Sequence, residues 1–206
     1  MIPVLSLDMK DPLDFIEMYG SFEHVKVGHN LAVEGRRILH KLSKRGLKII
    51  LDLKFMDIPS TVARAIRCWD HPSVVGFTVC GAAGIGSVKA ALESTDKTIF
   101  SVIKLTSLKG ALNNGHIHTI KKLDALGSSF VLPPSWAKLL RDRLRGEFLV
   151  PGVRMEVPAG EQKDIVTLEE IEGIADYAIL GREVYACADP AGKLAWIKGM
   201  TERWRW

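Results

Sequence analysis

The sequence predicts an α/β protein built as a closed (β/α)8 TIM barrel. Three observations point there. Eight short β-rich runs alternate with stretches that carry apolar residues at helical spacing. The charged residues of the early runs gather at or near their C-terminal ends, the face on which barrel sites are built. The chain of 206 residues suits one compact domain, 1–206, with short connections and no linker, repeat or low-complexity segment.

The runs follow in order. "IPVLSLD" (2–8) reads as the first strand and ends on Asp8. "HVKVG" (24–28) is the second and carries Lys26. "LAVEGRRILHKLSKRG" (31–46) has helical periodicity, with Gly46 where a helix C-terminus belongs. "LKIILDLKF" (47–55) is the third strand, and "SVVGFTVC" (73–80) the fourth. "KTIFSVIKL" (97–105) and "SSFVLP" (128–133) are the fifth and sixth. "SWAKLLRDRLRG" (135–146) is helical and places Gly146 at its end. "EFLVPG" (147–152) and "YAILG" (177–181) complete the eight. The tail "TERWRW" reads as an amphipathic helix end that lays its tryptophans on the barrel.

Composition narrows the function. The chain is 47% hydrophobic and 25% charged, as an ordinary globular protein is. Its net charge of +4 fits an anionic ligand. It has no long Lys/Arg run and no aromatic-basic interleaving, which argues against nucleic acid as a partner. Cys68, Cys80 and Cys187 are far apart and form no CxxC pair, so neither a zinc framework nor a disulfide framework is expected. Reduced thiols and a cytoplasmic setting are the simple reading. The opening "MIPVLSLDMKD" reads as no signal peptide, and no run approaches the length of a membrane span.

The third strand is the anomaly. In "LDLKFMD", alternation puts Leu51, Leu53 and Phe55 on one face and Asp52, Lys54 and Met56 on the other. With the apolar set turned toward the helices, Asp52 and Lys54 point into the barrel and Asp57 follows at its rim. A lone buried charge is costly, and alternating signs relieve that cost. Two unit charges about 4 Å apart interact by about 4 kcal/mol at an effective dielectric of 20. Lys26 extends the row to Lys–Asp–Lys–Asp. Buried ion pairs are poor stability devices, so chemistry explains this arrangement better than packing does.

"LDLKFMDIPSTV" closely resembles the signature of the orotidine 5′-phosphate decarboxylase family, Asp-x-Lys-x-x-Asp-Ile-Pro-x-Thr. "LSLDM", "VKVGHNL", "KLTSLKG", "VPGVRMEVPAGEQKD" and "AILGREVYACADP" resemble the family's other segments in order, over nearly the whole chain. The chain departs from many relatives at Cys80, where they have His, and at Met155 and Glu156 in the seventh loop.

The resemblance implies a cofactor-independent, metal-free decarboxylation of orotidine 5′-phosphate to uridine 5′-phosphate (UMP) and CO2, a step of pyrimidine biosynthesis. It makes Lys54 the proton donor to a ring carbanion, with Asp52 and Asp57 completing its network. Asp57 and Thr61 would reach the neighbouring subunit's site, which implies a homodimer with shared sites. Asp8 and Lys26 would bind the ribose. Gly152, Val153, Arg154 and Gln162 of the seventh loop, with Gly181 and Arg182 of the eighth, would hold the phosphate. Thr106 and Ser107 either read the pyrimidine edge or simply end the fifth strand. His29, His116 and His118 are assigned nothing, and Cys68 and Cys187 are read as small apolar packing groups.

The nearest alternative lies in the same wider barrel group: magnesium-dependent sugar-phosphate decarboxylases and hexulose-phosphate synthases. They share Asp-x-Lys-x-x-Asp but carry an acid where Lys26 stands. A non-catalytic binder of phosphate ligands on the same scaffold is the other.

Overall fold

The computed structural model describes residues 1–105, 110–155 and 165–204. Eight parallel strands close into a barrel. They are β1 (Ile2–Ser6), β2 (His24–Val27), β3 (Lys48–Phe55) and β4 (Val74–Cys80), followed by β5 (Thr98–Val102), β6 (Ser129–Val131), β7 (Phe148–Val150) and β8 (Tyr177–Leu180). The barrel closes where β1 pairs with β8, Leu5 opposite Leu180. Each strand lies inside the run expected for it.

Strand alternation divides the apolar residues into two layers. Val4, Ile50, Phe100 and Leu149 form a cluster of their own, with Val75, Val131, Tyr177 and Ile179 packed against it. This is the filling of the barrel. Their neighbours Leu5, Ile49, Leu51, Ile99, Phe148 and Val150 belong to the larger outer cluster, shared with the helices. Gly76 makes the filling possible. A Cβ there would stand 2.7 Å from the Phe100 ring, so the ring occupies space that any other residue would deny it.

Nine helices surround the barrel among the described residues: α1 (Pro12–Tyr19), α2 (Asn30–Glu34), α3 (Arg37–Ser43), α4 (Pro59–Trp69), α5 (Ile85–Leu92), α6 (Asn114–Ala125), α7 (Pro134–Leu140), α8 (Arg182–Tyr185) and α9 (Pro190–Arg203). The single helix expected over 31–46 is two. Gly35, at φ 58°, takes a left-handed conformation that ends α2 and re-aims the chain into α3. Gly46, at φ 72°, closes the turn after α3 as expected. Gly146 does something else. It is not left-handed; a Cβ at this position would collide with the Ser128 carbonyl oxygen. Close passage of two backbones at the foot of the barrel requires this glycine, rather than a helix cap.

The tail agrees in part with expectation. α9 runs to Arg203, and Trp204 packs half-buried against the outer cluster, while Trp206 lies outside the described residues. Cys68 is exposed on α4 and does not pack as an apolar group, because its position faces away from the core face of Val62 and Ile66. Cys187 is half-buried, and its thiol donates to the Val184 carbonyl at 3.0 Å. No helix among the described residues is long and apolar enough to cross a membrane.

Candidate active site

At the C-terminal ends of β1, β2 and β3, four charged side chains form one row of alternating sign. The Lys26 ammonium lies 2.9 Å from Asp52 Oδ2 and 3.4 Å from Asp8 Oδ1. The Lys54 ammonium lies 2.8 Å from Asp52 Oδ1. The observed order is Asp8, Lys26, Asp52, Lys54, so the row extends toward β1. The middle is buried and the ends are open: side-chain exposure is 46% for Asp8, 9% for Lys26, 12% for Asp52 and 37% for Lys54.

Electrostatics follows from this order. Burial alone would raise the Asp52 carboxyl above its ordinary 3.8. The Lys26 and Lys54 ammoniums outweigh burial and hold it at about 2. Asp52 is therefore a fixed anion with a cation on each oxygen. Gly28 lies beside this group, and a Cβ there would make only ordinary contacts, 3.4 Å to the Asp52 carbonyl oxygen and 3.9 Å to the Lys26 ammonium.

Lys54 reaches Asp52 through an unusual backbone. Its φ is +47°, the sole positive value among described residues other than glycine. The β3–β4 register slips here, from Leu51 opposite Phe77 to Phe55 opposite Val79. Three residues of β3 thus face one of β4, as in an enlarged bulge. The kink lifts Lys54 to the barrel mouth and still returns its ammonium to Asp52.

Asp57 stands apart from the row within this chain. Its side chain is exposed, and Oδ1 accepts from the Ile58 amide at 2.7 Å, just before α4. Its backbone carbonyl is held by the buried Ser87 hydroxyl at 2.7 Å. Thr61 lies in the first turn of α4, half-buried, and accepts from Arg64 at 3.4 Å. Met56 and Ile58, on either side of Asp57, are 67% and 64% exposed.

The seventh and eighth loops approach the same mouth. Gly152 turns the chain at φ 77° into a two-residue strand, Val153–Arg154, which pairs in parallel with Val166–Thr167. Val153 is buried and Arg154 half-buried. Gly181 precedes α8, and Arg182 opens it, exposed. Thr106, Ser107 and Gln162 lie outside the described residues.

Several site residues escaped the sequence reading. Thr78 of β4 donates to Asp52 Oδ1 at 2.9 Å and accepts from the Lys54 amide at 2.8 Å. Ser6 of β1 donates to Asp8 at 2.6 Å. Tyr185 of α8 lies near Asp8, Arg182 and Lys26. Burial first, then the Asp8 carboxylate, push its hydroxyl above its ordinary 10.0. Strand alternation was the signal available for Ser6, two residues from the inward Val4.

Among the described residues, no group of three or more His, Cys, Asp or Glu is placed to hold a metal ion. In the row itself a cation already stands between the carboxylates: the Lys26 ammonium separates Asp8 from Asp52.

Comparison with known proteins places the chain in a family. Residues 2–197 match the model of the family described as orotidine 5′-phosphate decarboxylase / HUMPS. An orotidine 5′-phosphate decarboxylase of Thermotoga maritima is 58% identical over 200 residues, covering 97% of this chain and 99% of its own. A crystal structure of orotidine 5′-phosphate decarboxylase from Thermotoga maritima superposes with a TM-score of 0.89 at 56% identity, covering 96% of this chain and 98% of that one. The Lactobacillus acidophilus enzyme of the same name superposes at 0.80 with 22% identity, over 97% and 98% of the two chains, and speaks for the fold alone. With its barrel, its charged strand and this match across nearly its full length, the chain belongs to the orotidine 5′-phosphate decarboxylase / HUMPS family.

Proposed function

We propose that this protein removes CO2 from orotidine 5′-phosphate to give UMP, using neither metal nor organic cofactor. The observation that carries the proposal is the alternating row at the barrel mouth, with Lys54 at its open end and Asp52 fixing its ammonium at 2.8 Å. Loss of CO2 breaks one carbon–carbon bond and leaves its electron pair on the pyrimidine ring carbon. A preorganised ammonium stabilises that charge and then gives it a proton. Lys54 is half-exposed, so water restores its proton after turnover.

The other residues take the roles that the family resemblance implies for them. Asp52 aims the Lys54 ammonium. Asp8 and Lys26 bind the ribose hydroxyls. The 5′-phosphate is held by Arg154, Arg182 and Gln162 with the backbone of Gly152, Val153 and Gly181. Thr106 and Ser107 read the pyrimidine edge. Asp57 and Thr61 serve the site of a second subunit, which makes the working form a homodimer. The exposed Met56 and Ile58 beside Asp57 support that role, because a partner would cover them.

Lys26 favours this reading over the magnesium-dependent one. Its ammonium occupies the place where that chemistry needs an acid. Two experiments test the proposal. Metal-free protein mixed with orotidine 5′-phosphate should bleach the ultraviolet absorbance of the orotate ring, with or without a chelator. Lys54→Ala should abolish that change while still binding UMP. Turnover that vanishes with a chelator and returns with magnesium would support the alternative instead.

A further inference from the structure

Thr78 lies at the one point where the backbone kink of β3 meets the charged row. It is fully buried on β4, opposite the three-residue step of the β3–β4 register. That step removes the Lys54 amide from the regular ladder, and a buried amide without a partner is costly. The Thr78 hydroxyl is its partner at 2.8 Å. A hydroxyl has one proton to give, and here it goes to Asp52 Oδ1 at 2.9 Å. The same carboxylate oxygen receives the Lys54 ammonium at 2.8 Å.

One hydroxyl therefore joins the backbone of Lys54 to the carboxylate that aims the Lys54 side chain. We infer that Thr78 is a positioning residue for decarboxylation. It holds Lys54 in its left-handed conformation and orients Asp52, and so sets where the ammonium stands. It acts through Lys54 and Asp52 and touches no reacting atom. This inference rests on the decarboxylase reading proposed above.

Valine matches threonine in shape but lacks the hydroxyl, whereas serine keeps it. In the full-length protein, Thr78→Val should lower kcat by about tenfold or more, the scale of a lost hydrogen bond to a charged group. UMP affinity should stay within about threefold, because uniform binding is untouched. Thr78→Ser should restore most of kcat. If valine is not accommodated, Thr78→Ala takes its place in the same comparison. An unchanged kcat overturns the inference. So does a parallel loss of kcat and UMP affinity, or a serine variant as poor as valine.

A second readout stands apart from turnover. Carbon-13 NMR of the Asp52 carboxyl should show its titration midpoint moving up in Thr78→Val and returning in Thr78→Ser. If the unaltered protein does not decarboxylate orotidine 5′-phosphate, the proposed function falls. The Asp52 titration still decides the role of Thr78, and an unmoved midpoint overturns it.

Discussion

Lys54 and Asp52 are two residues apart on one strand, yet the ammonium of one lies 2.8 Å from the carboxylate of the other. Regular pleating puts such side chains on one face, about 7 Å apart along the strand. The left-handed backbone at Lys54, φ +47°, re-aims the second of them. Holding a non-glycine residue there costs on the order of 1–3 kcal/mol, so the bulge and its hydrogen bonds must stabilise it.

Asp52→Asn should damage both stability and activity. The substitution leaves two ammoniums, Lys26 and Lys54, facing a neutral amide in a mostly buried site. Breaking a buried charge pair on one side costs about 3–5 kcal/mol. Denaturant unfolding should show a loss of that order, and kcat should fall by orders of magnitude. A variant as stable and active as the parent would contradict the electrostatic reading of the row.

Acid should weaken the fold through the same residue. The folded-state value of Asp52, about 2, lies below its ordinary 3.8, so the unfolded chain binds a proton first. The stability due to Asp52 is complete above its unfolded value and disappears as pH falls through its folded value. The shift amounts to about 2 kcal/mol. Unfolding free energies measured from pH 5 down to pH 2 should decline less steeply over this window in Asp52→Asn than in the parent.

Two inactive variants should rescue one another if sites are shared between subunits. Lys54→Ala and Asp57→Ala, each inactive alone, form mixed dimers in which one site has an intact Lys54 and the partner's intact Asp57. Random exchange should recover about a quarter of the parent activity, since half the dimers are mixed and one of two sites works. Turnover measured after co-refolding checks this. No recovery, despite mixed dimers seen by native mass spectrometry, would confine Asp57 to its own chain.

Gly146→Ala should destabilise the protein without touching the chemistry. Its methyl would press on the Ser128 carbonyl, which belongs to backbone and cannot swing aside. Overpacking of this kind costs about 1–3 kcal/mol. Thermal melting should move down, while kcat of the folded fraction stays at the parent value.

The barrel was legible because each strand keeps its own alternation. Phe100 and Leu149 fill the inside while Ile99, Phe148 and Val150 face the helices, and this pattern needs no tertiary knowledge to read. The acids and lysines of the row were legible for the opposite reason: charge inside apolar runs has no packing explanation. Thr78 was not legible. A threonine in "VVGFTVC" is an ordinary strand former. Only the register slip brings it opposite Lys54, and register is a property of two strands together. Gly35 and Gly146 show the same limit. One breaks a helix and the other admits a neighbouring backbone, and each looks alike as a letter.

The row of two acids and two lysines sums to zero. An electroneutral floor offers no long-range pull on a phosphorylated ligand. Under the proposed function, capture falls to the perimeter, where Arg154 and Arg182 are assigned to the phosphate. Added electrolyte should therefore raise KM through those arginines, yet leave the saturated rate nearly untouched, because Lys26 and Asp52 at the middle of the row are buried from mobile ions. Affinity and chemistry then answer to separate charges, and ionic strength can tune the first while the second stays constant.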